Sequence, residues 1–432
     1  MSDITVSSVG DCFITQRLGR GRSFQKLQKF FGSHDVNLAN LEVVLHQFDV
    51  YPAPVSGGSW ACAQPEVLRD LKDLGLNLLG CANNHSIDWN IGGVLSTLHH
   101  VEDCGFPHAG LGRNLAEASM PAYVNTPHGR AALVSVTSTC PLWGMAGEQR
   151  PDVQGRPGAN VLRYETVHRV LPEMLENLKQ AAAVTDVNAD RLLNEKEGFS
   201  KPLEGGFYMG NIHFEASQHP GTETRMNQED AGRIVKSVEE ARRQSDLVIV
   251  SSHGHERKGM DKSRPADFMV DFAHLCIDHG AHMFVAHGPH IWRGIEIYKG
   301  RPIFYGIGNF IFENESMERQ PAEFYHLYNL GPDSTVSDGL DCRSLHGKRG
   351  LAADPLVYES AAVSVAFHEG KAVRAVLYPL TLHFSSPRSE KGVPSLAEGD
   401  EAEAVLKHIQ ELCSAYGTDI DIENGKGIVR LQ

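Results

Sequence analysis

The chain has 432 residues, enough to bury one large core or two ordinary ones. Hydrophobic residues at 41% and charged residues at 22% exclude a disordered polymer, and no apolar run approaches the ~20 residues of a membrane helix. A net charge of -14, with no basic stripe beyond GRGRSFQK near residue 20, argues against a nucleic-acid partner, which needs a cationic footprint.

Strand-like runs alternate with helical periodicities. ITVSSVG (4–10) precedes a helix predicted around 23–31, and VNLANLE (36–42) precedes a Pro/Gly-rich loop (52–58) and a helix near 65–74. NLLGCAN (77–83) leads to GGVLSTLHHVEDCG, whose apolar spacing is helical and which Gly105 stops. AALVSVTS (131–138), LVIVSSHG (247–254) and MFVAHG (283–288) read as buried strands, the last two each following a helix, near 227–243 and 265–279. Residues 294–308 read as a hairpin turning at Lys299-Gly300, and further β-like runs lie at 359–367 and 373–380.

This order predicts an α/β fold built on a pair of central sheets, as one domain over 1–398 with core segments 3–138 and 228–385. Segment 141–228 is polar and poor in strand signals, so it is expected to be an inserted cap whose His213, His219 and Arg225 are solvated loop residues. Segment 313–357 is expected to be surface loop, and 399–432 an extension of one helix (about 400–416) and a short strand. The start, MSDITVSSVGDCF, has no basic region followed by an apolar one, so no secretory signal is expected. Eight scattered cysteines without a CxxC suit reduced thiols, and the expected location is the cytoplasm, away from membranes. Nothing in the chain specifies an oligomeric state.

The chemistry lies where strands stop. They end in Gly10-Asp11, Asn40-Leu41-Glu42, Asn83-Asn84-His85, His253-Gly254-His255-Glu256 and His287-Gly288-Pro289-His290. Each cluster alone has a plainer reading: Asp11 as a turn residue, Glu42 as a solvated strand end, the asparagines as a left-handed turn. Ligands of open α/β sheets bind at the carboxyl ends of strands, so the clusters are expected to share one crevice. Carboxylates, an amide oxygen and neutral imidazoles form a mixed O/N set suited to one or two divalent transition metals (Mn, Zn or Fe) rather than Ca or Mg. A carboxylate able to bridge is the usual ingredient of a two-metal centre, with ions ~3.5–4 Å apart.

These motifs, with GLGRNLAEA (110–118), ANNHSID (82–88) and AHGPHIWRGIEIYKGRPIFYGIGNFIF (286–312), resemble the CapA family. Its members are bacterial proteins linked to poly-γ-glutamate capsule synthesis and resemble calcineurin-like metallophosphatases. The match covers roughly 3–138 and 228–312, in order. The resemblance implies a four-layer α/β/β/α sandwich of metallophosphatase type. It also implies that Asp11 and His290 hold one metal, that Glu42 bridges, and that Asn84, His253 and His287 hold the other, with His85 as proton donor. A histidine common two residues after the first Asp is here Phe13, leaving the first metal one ligand poorer. The arginine after that Asp is shifted to Arg17. His255 and Glu256 are candidates for acid–base work, joining His85 and Asp11 as the expected catalytic set, with Arg17, Asn83 and Arg293 on the substrate.

A Lewis acid beside imidazole and carboxylate groups suits three reactions. These are hydrolysis of an amide or peptide-like bond, cofactor-independent epimerisation at a peptide Cα, and phosphoester hydrolysis. No Gly-rich phosphate loop and no cationic cradle are visible, which favours a soluble peptide or amide substrate and hydrolysis. A non-catalytic capsule-assembly scaffold is the alternative from another class; it would be marked by lost ligands, and here nearly the full set stands.

Overall fold

The computed structural model describes residues 3–431. Strand Asp3–Phe13 lies at the centre of the larger sheet, with Val36–Leu41, Leu78–Gly80 and His108–Ala109 following in parallel on one side. On its other side come the antiparallel strands Glu359–His368, Lys371–Thr381, Lys426–Val429 and Ile420–Glu423. Asn309–Phe312 and Ser395–Leu396 bring the sheet to ten strands. The second sheet has six, in the order Ile295–Tyr298, Arg301–Phe304, Met283–His287, Leu247–His253, Gly129–Thr137, Ala122–Thr126.

Side chains alternate across each sheet, and this two-residue period separates the cores. Ile4, Val6, Val36 and Leu38 meet Leu133, Ile249, Met283 and Val285 in one buried layer between the sheets. Their neighbours Ala132, Val134, Val248, Val250 and Phe284 face the opposite way, sharing a core with helices Gln228–Gln244 and Asp267–Asp278. Ala39, Leu41 and Leu79 likewise share a core with helices Arg22–Phe31, Val67–Leu74 and Asn90–Asp103. The expected α/β/β/α sandwich results. The hairpin also turns where expected, with both Lys299 (φ 52°) and Gly300 (φ 72°) left-handed, as a two-residue turn between twisted strands requires.

Elsewhere the fold departs from the sequence reading. The inserted segment is not poor in strand: Phe207–Met209, Ile212–Ala216, Tyr164–Val170 and Gly221–Met226 form a four-stranded sheet. Its pattern was masked because both faces carry polar side chains, as in Gly-Thr-Glu-Thr-Arg-Met, so no apolar alternation marks it. His213 is not a solvated loop residue; it is buried in that sheet, with Nδ1 on the Glu165 carboxylate at 2.5 Å. Segment 313–357 contains helices Ala322–Leu327 and Val336–Ser344, the latter closed by a capping box of Thr335 and Asp338. The tail contributes helix Gly399–Cys413, whose Leu406 and Ile409 enter the inter-sheet layer, and two strands at the edge of the large sheet.

His282 enters the strand Met283–His287 as a buried residue whose Nδ1 accepts the Val248 N–H at 2.9 Å. Burial, aided by the charges of Arg301 and Arg242, pushes its pKa down to about 3. An unfolded histidine titrates near ~6.5, so the unfolded chain takes up the proton first as pH falls from about 6.5 towards 3. Stability is therefore complete above that window and lost within it, by a few kcal/mol at most. His282→Asn keeps an acceptor for Val248 and removes the titration. Urea melts at about pH 6.5 and 4.5 should show a smaller acid loss in the variant than in the wild type; equal losses would rule His282 out as a source.

Candidate metal centre

Parallel register brings the strand ends together. His253 pairs beside His287 on one side and Thr137 on the other, while Asp11 stands beside Asn40 and Asn309. The two sheets are joined at this edge by the Gly288 N–H, which donates to Asp11 Oδ2 at 3.1 Å. Gly288 has φ 108°, and a Cβ there would meet the Gly254 backbone at 3.0 Å, so the turn between the two histidines needs glycine. His290 itself is left-handed, at φ 60°.

Two groups of ligand atoms result, Asp11–Glu42–His290 and Glu42–His253–His255, each with its atoms within 4.8 Å of one another. Glu42 belongs to both, as a bridging carboxylate would. Both Glu42 oxygens, both His287 nitrogens and Asn84 Oδ1 are buried without a hydrogen-bond partner. Such a concentration of unpaired polar atoms is costly in a folded protein and fits a cation held among them. The donor set could therefore hold a metal ion.

The surroundings keep these groups ready as ligands. Burial pushes His287 and His290 down to about 4, and burial with the charges of His253 and His290 lowers His255 well below its ordinary value. Neutral imidazoles are the form that coordinates. Burial, then the charges of Asp11 and Asp88, raises the Glu42 carboxyl well above its ordinary value. Burial also acts to raise Asp11, but the His253 hydrogen bond and the neighbouring imidazole charges outweigh it and bring it below the carboxylate range.

Second partners orient the first. Asn309 donates to the carbonyls of Val357 (2.9 Å) and His290 (3.3 Å), so its oxygen faces His290 Nδ1 at 2.9 Å. That fixes the proton on Nδ1 and leaves Nε2 for a ligand role. Asn40 Nδ2 reaches Asp11 Oδ1 (2.8 Å) and His253 Nδ1 (3.1 Å). Neither asparagine was assigned from sequence; position at the end or start of a strand adjoining a ligand was the available signal.

His85 Nδ1 lies 2.6 Å from Asp88 Oδ2, and the same carboxylate accepts from the N–H groups of Gly57 (2.8 Å) and Ala61 (2.9 Å). Asp88 three residues after His85 was the sequence signal for this pair. Glu256 accepts from the Ser138 and Thr139 hydroxyls at 2.7 and 2.9 Å. His255, read above as an acid–base residue, lies in the Glu42–His253–His255 group, with Nε2 3.3 Å from His253 Nε2. Phe13 itself packs edge-on against His85 and Phe312.

The three residues expected on the substrate are engaged elsewhere. Arg17 makes a two-point pair with buried Asp70, at 2.6 and 2.9 Å. Asn83 donates to Leu41 O (2.7 Å) and accepts from the His85 N–H (3.1 Å), shaping the turn. Arg293 is buried and donates to the carbonyls of Glu256 (3.0 Å) and Lys262 (2.9 Å), tying down the loop that carries His255 and Glu256. These pairings are tertiary, and no local pattern announces them.

Among the described residues, no helix is long and apolar enough to cross a membrane. The chain is 32% identical over 441 aligned positions to an uncharacterized protein of Sinorhizobium fredii, covering 99% of this chain and 93% of that protein. It is 21% identical to the capsule biosynthesis protein CapA of Bacillus anthracis, over 76% of this chain and 65% of that protein. It is 25% identical to a probable polyglutamine synthesis accessory protein of Mycobacterium tuberculosis, over 66% of this chain and 57% of that one. The family model described as bacterial capsule synthesis protein PGA_cap matches residues 5–314, a span that holds every candidate ligand described above. The chain belongs to the bacterial capsule synthesis protein (PGA_cap) family, the CapA family its motifs resemble.

Proposed function

We propose that this chain is a metal-dependent hydrolase of an amide or peptide-like bond, with Asp11, Glu42, Asn84, His253, His255, His287 and His290 holding one or two divalent metals. The observation that carries the reading is Glu42, shared by two ligand groups with both oxygens buried and unpaired. The metal, when bound, polarises the substrate carbonyl and lowers the pKa of water. His85, held by Asp88, is the group that delivers a proton to the leaving nitrogen as the C–N bond breaks and the water oxygen bonds to carbon. Asn40 and Asn309 keep His253 and His290 oriented, and Arg293 holds the loop of His255 and Glu256 in place. The names of the relatives, a capsule biosynthesis protein and a probable polyglutamine synthesis accessory protein, support a role in making an amide-linked polymer.

A second reading has its own support. His85 and Glu256 are anchored separately, so one can remove a Cα proton while the other returns one, which inverts the centre without breaking the chain. One incubation separates the two. Candidate peptides with metal-loaded protein in D₂O are expected to yield new amine without deuterium at Cα. Deuterium entering Cα of an intact peptide would overturn hydrolysis in favour of epimerisation.

A further inference from the structure

Beside the ligand cluster lies a cleft of about 530 Å³ that Asn84, Asp88 and Glu256 share. Val55, Ile87, Pro141, Leu142, Met145 and Val161 give it an apolar wall, beside the hydroxyl residues Ser56, Ser138 and Thr139. Leu142 and Val55 are 72% and 50% exposed, so the mouth presents aliphatic side chains to solvent before any substrate arrives. Tyr164, stacked on Phe268 with centroids 4.6 Å apart, adds a fixed aromatic face.

The charges in the cleft are unfavourable to an anion. Among the described residues Arg163 is the sole Lys or Arg lining it, and its guanidinium pairs through two nitrogens with the Asp230 carboxylate at 2.7 and 3.0 Å, with Glu229 also 3.8 Å away. Arg156 donates to the carbonyls of Met145 and Leu142 and does not line the cleft. Glu256 and Asp88 meanwhile place two carboxylates on its wall. A substrate carboxylate seated against this wall meets like charge with no free cationic side chain, a cost that specific interfaces use to reject wrong partners.

Resting on the hydrolase reading for the position of the reacting carbonyl, we propose that this cleft seats an uncharged, apolar side chain of a peptide next to that carbonyl and disfavours glutamyl residues. Burying one leucine side chain against such a wall is expected to give on the order of tenfold tighter binding.

The test uses the metal-loaded full chain and fluorescence anisotropy of dansylated Gly-Gly-Leu-Gly-Gly, Gly-Gly-Glu-Gly-Gly and a γ-linked tri-glutamate at one salt concentration. The leucine peptide should bind about tenfold more tightly than either glutamyl probe. Leu142→Arg with Val55→Arg, both at exposed positions, should erase or reverse that order. Equal or tighter glutamyl binding by the wild type, no measurable binding of the leucine peptide, or an unchanged order in the double variant would each overturn the proposal. Metal content measured on the same samples keeps the two readings apart. A leucine preference in protein that takes up no metal leaves this inference standing and removes the metallohydrolase, while lost preference with full metal removes only this one.

Discussion

Glu42→Gln is expected to make the metal-free protein more stable and the metal-loaded protein less so. The two ligand groups have a single member in common, Glu42. Replacing it weakens both, whereas His290→Ala touches only one. Elemental mass spectrometry should therefore find metal falling from about two ions per chain towards none in Glu42→Gln, and to about one in His290→Ala. The stability change has the opposite sign without metal. Both carboxylate oxygens are buried without a donor, and Asp11 lies close by, so the charge is a burden when no cation neutralises it. Removing that charge should raise the stability of chelator-treated protein by about 1–3 kcal/mol. A hundredfold loss of metal affinity removes about 2.7 kcal/mol of the ligand-dependent stabilisation at saturating metal. Thermal scans with and without a chelator should then show a higher midpoint for the variant in the chelator and a smaller rise on adding metal. A variant that keeps its metal, or that is weaker in the chelator, would make Glu42 a structural residue and remove the bridging role.

The legibility of this site follows from where its residues lie. His253 and His287 end buried strands, Asp11 and Glu42 lie within two residues of a strand end, and Asn84 and His290 stand in the turns just beyond; a strand that runs into a polar cluster is a local pattern. Parallel register then aligns the ends, as with His253 beside His287. The placement of His255 beside Glu42 and His253 depends on side-chain direction out of a turn, which spacing does not encode. The pairing of Arg17 is not legible locally because its partner, Asp70, is 53 residues away on another element. The inserted sheet stayed hidden for a related reason: Tyr164–Val170 and Gly221–Met226 pair antiparallel with polar residues on both faces, so packing rather than periodicity defines them. The fold was readable where one face of an element is buried in the core. It was unreadable where long-range charge pairs or two-sided polar strands decide the structure.

His85→Ala is expected to abolish most turnover while leaving metal content and peptide binding near wild type. His85 belongs to neither ligand group, and its Nδ1 is committed to Asp88 at 2.6 Å, so Nε2 is the nitrogen free to exchange a proton with substrate. Loss of a positioned acid–base group costs ~10²–10⁴ in rate, and that cost should fall on kcat rather than KM. Asp88→Asn should lose less in rate but more in stability. The imidazole remains, yet Asp88 also accepts the Gly57 and Ala61 N–H groups, which hold the 52–62 loop against the site. An asparagine offers one acceptor oxygen where the carboxylate offers two, so at least one of these buried donors loses its partner, at about 1–3 kcal/mol. The contrast separates the roles: His85 acts on the substrate, and Asp88 acts through His85 and the loop. Equal rate losses with equal stability losses would mean that both residues serve the fold. A His85→Ala protein that turns over normally would move the proton donor to Glu256, the other anchored acid–base group beside the metal ligands.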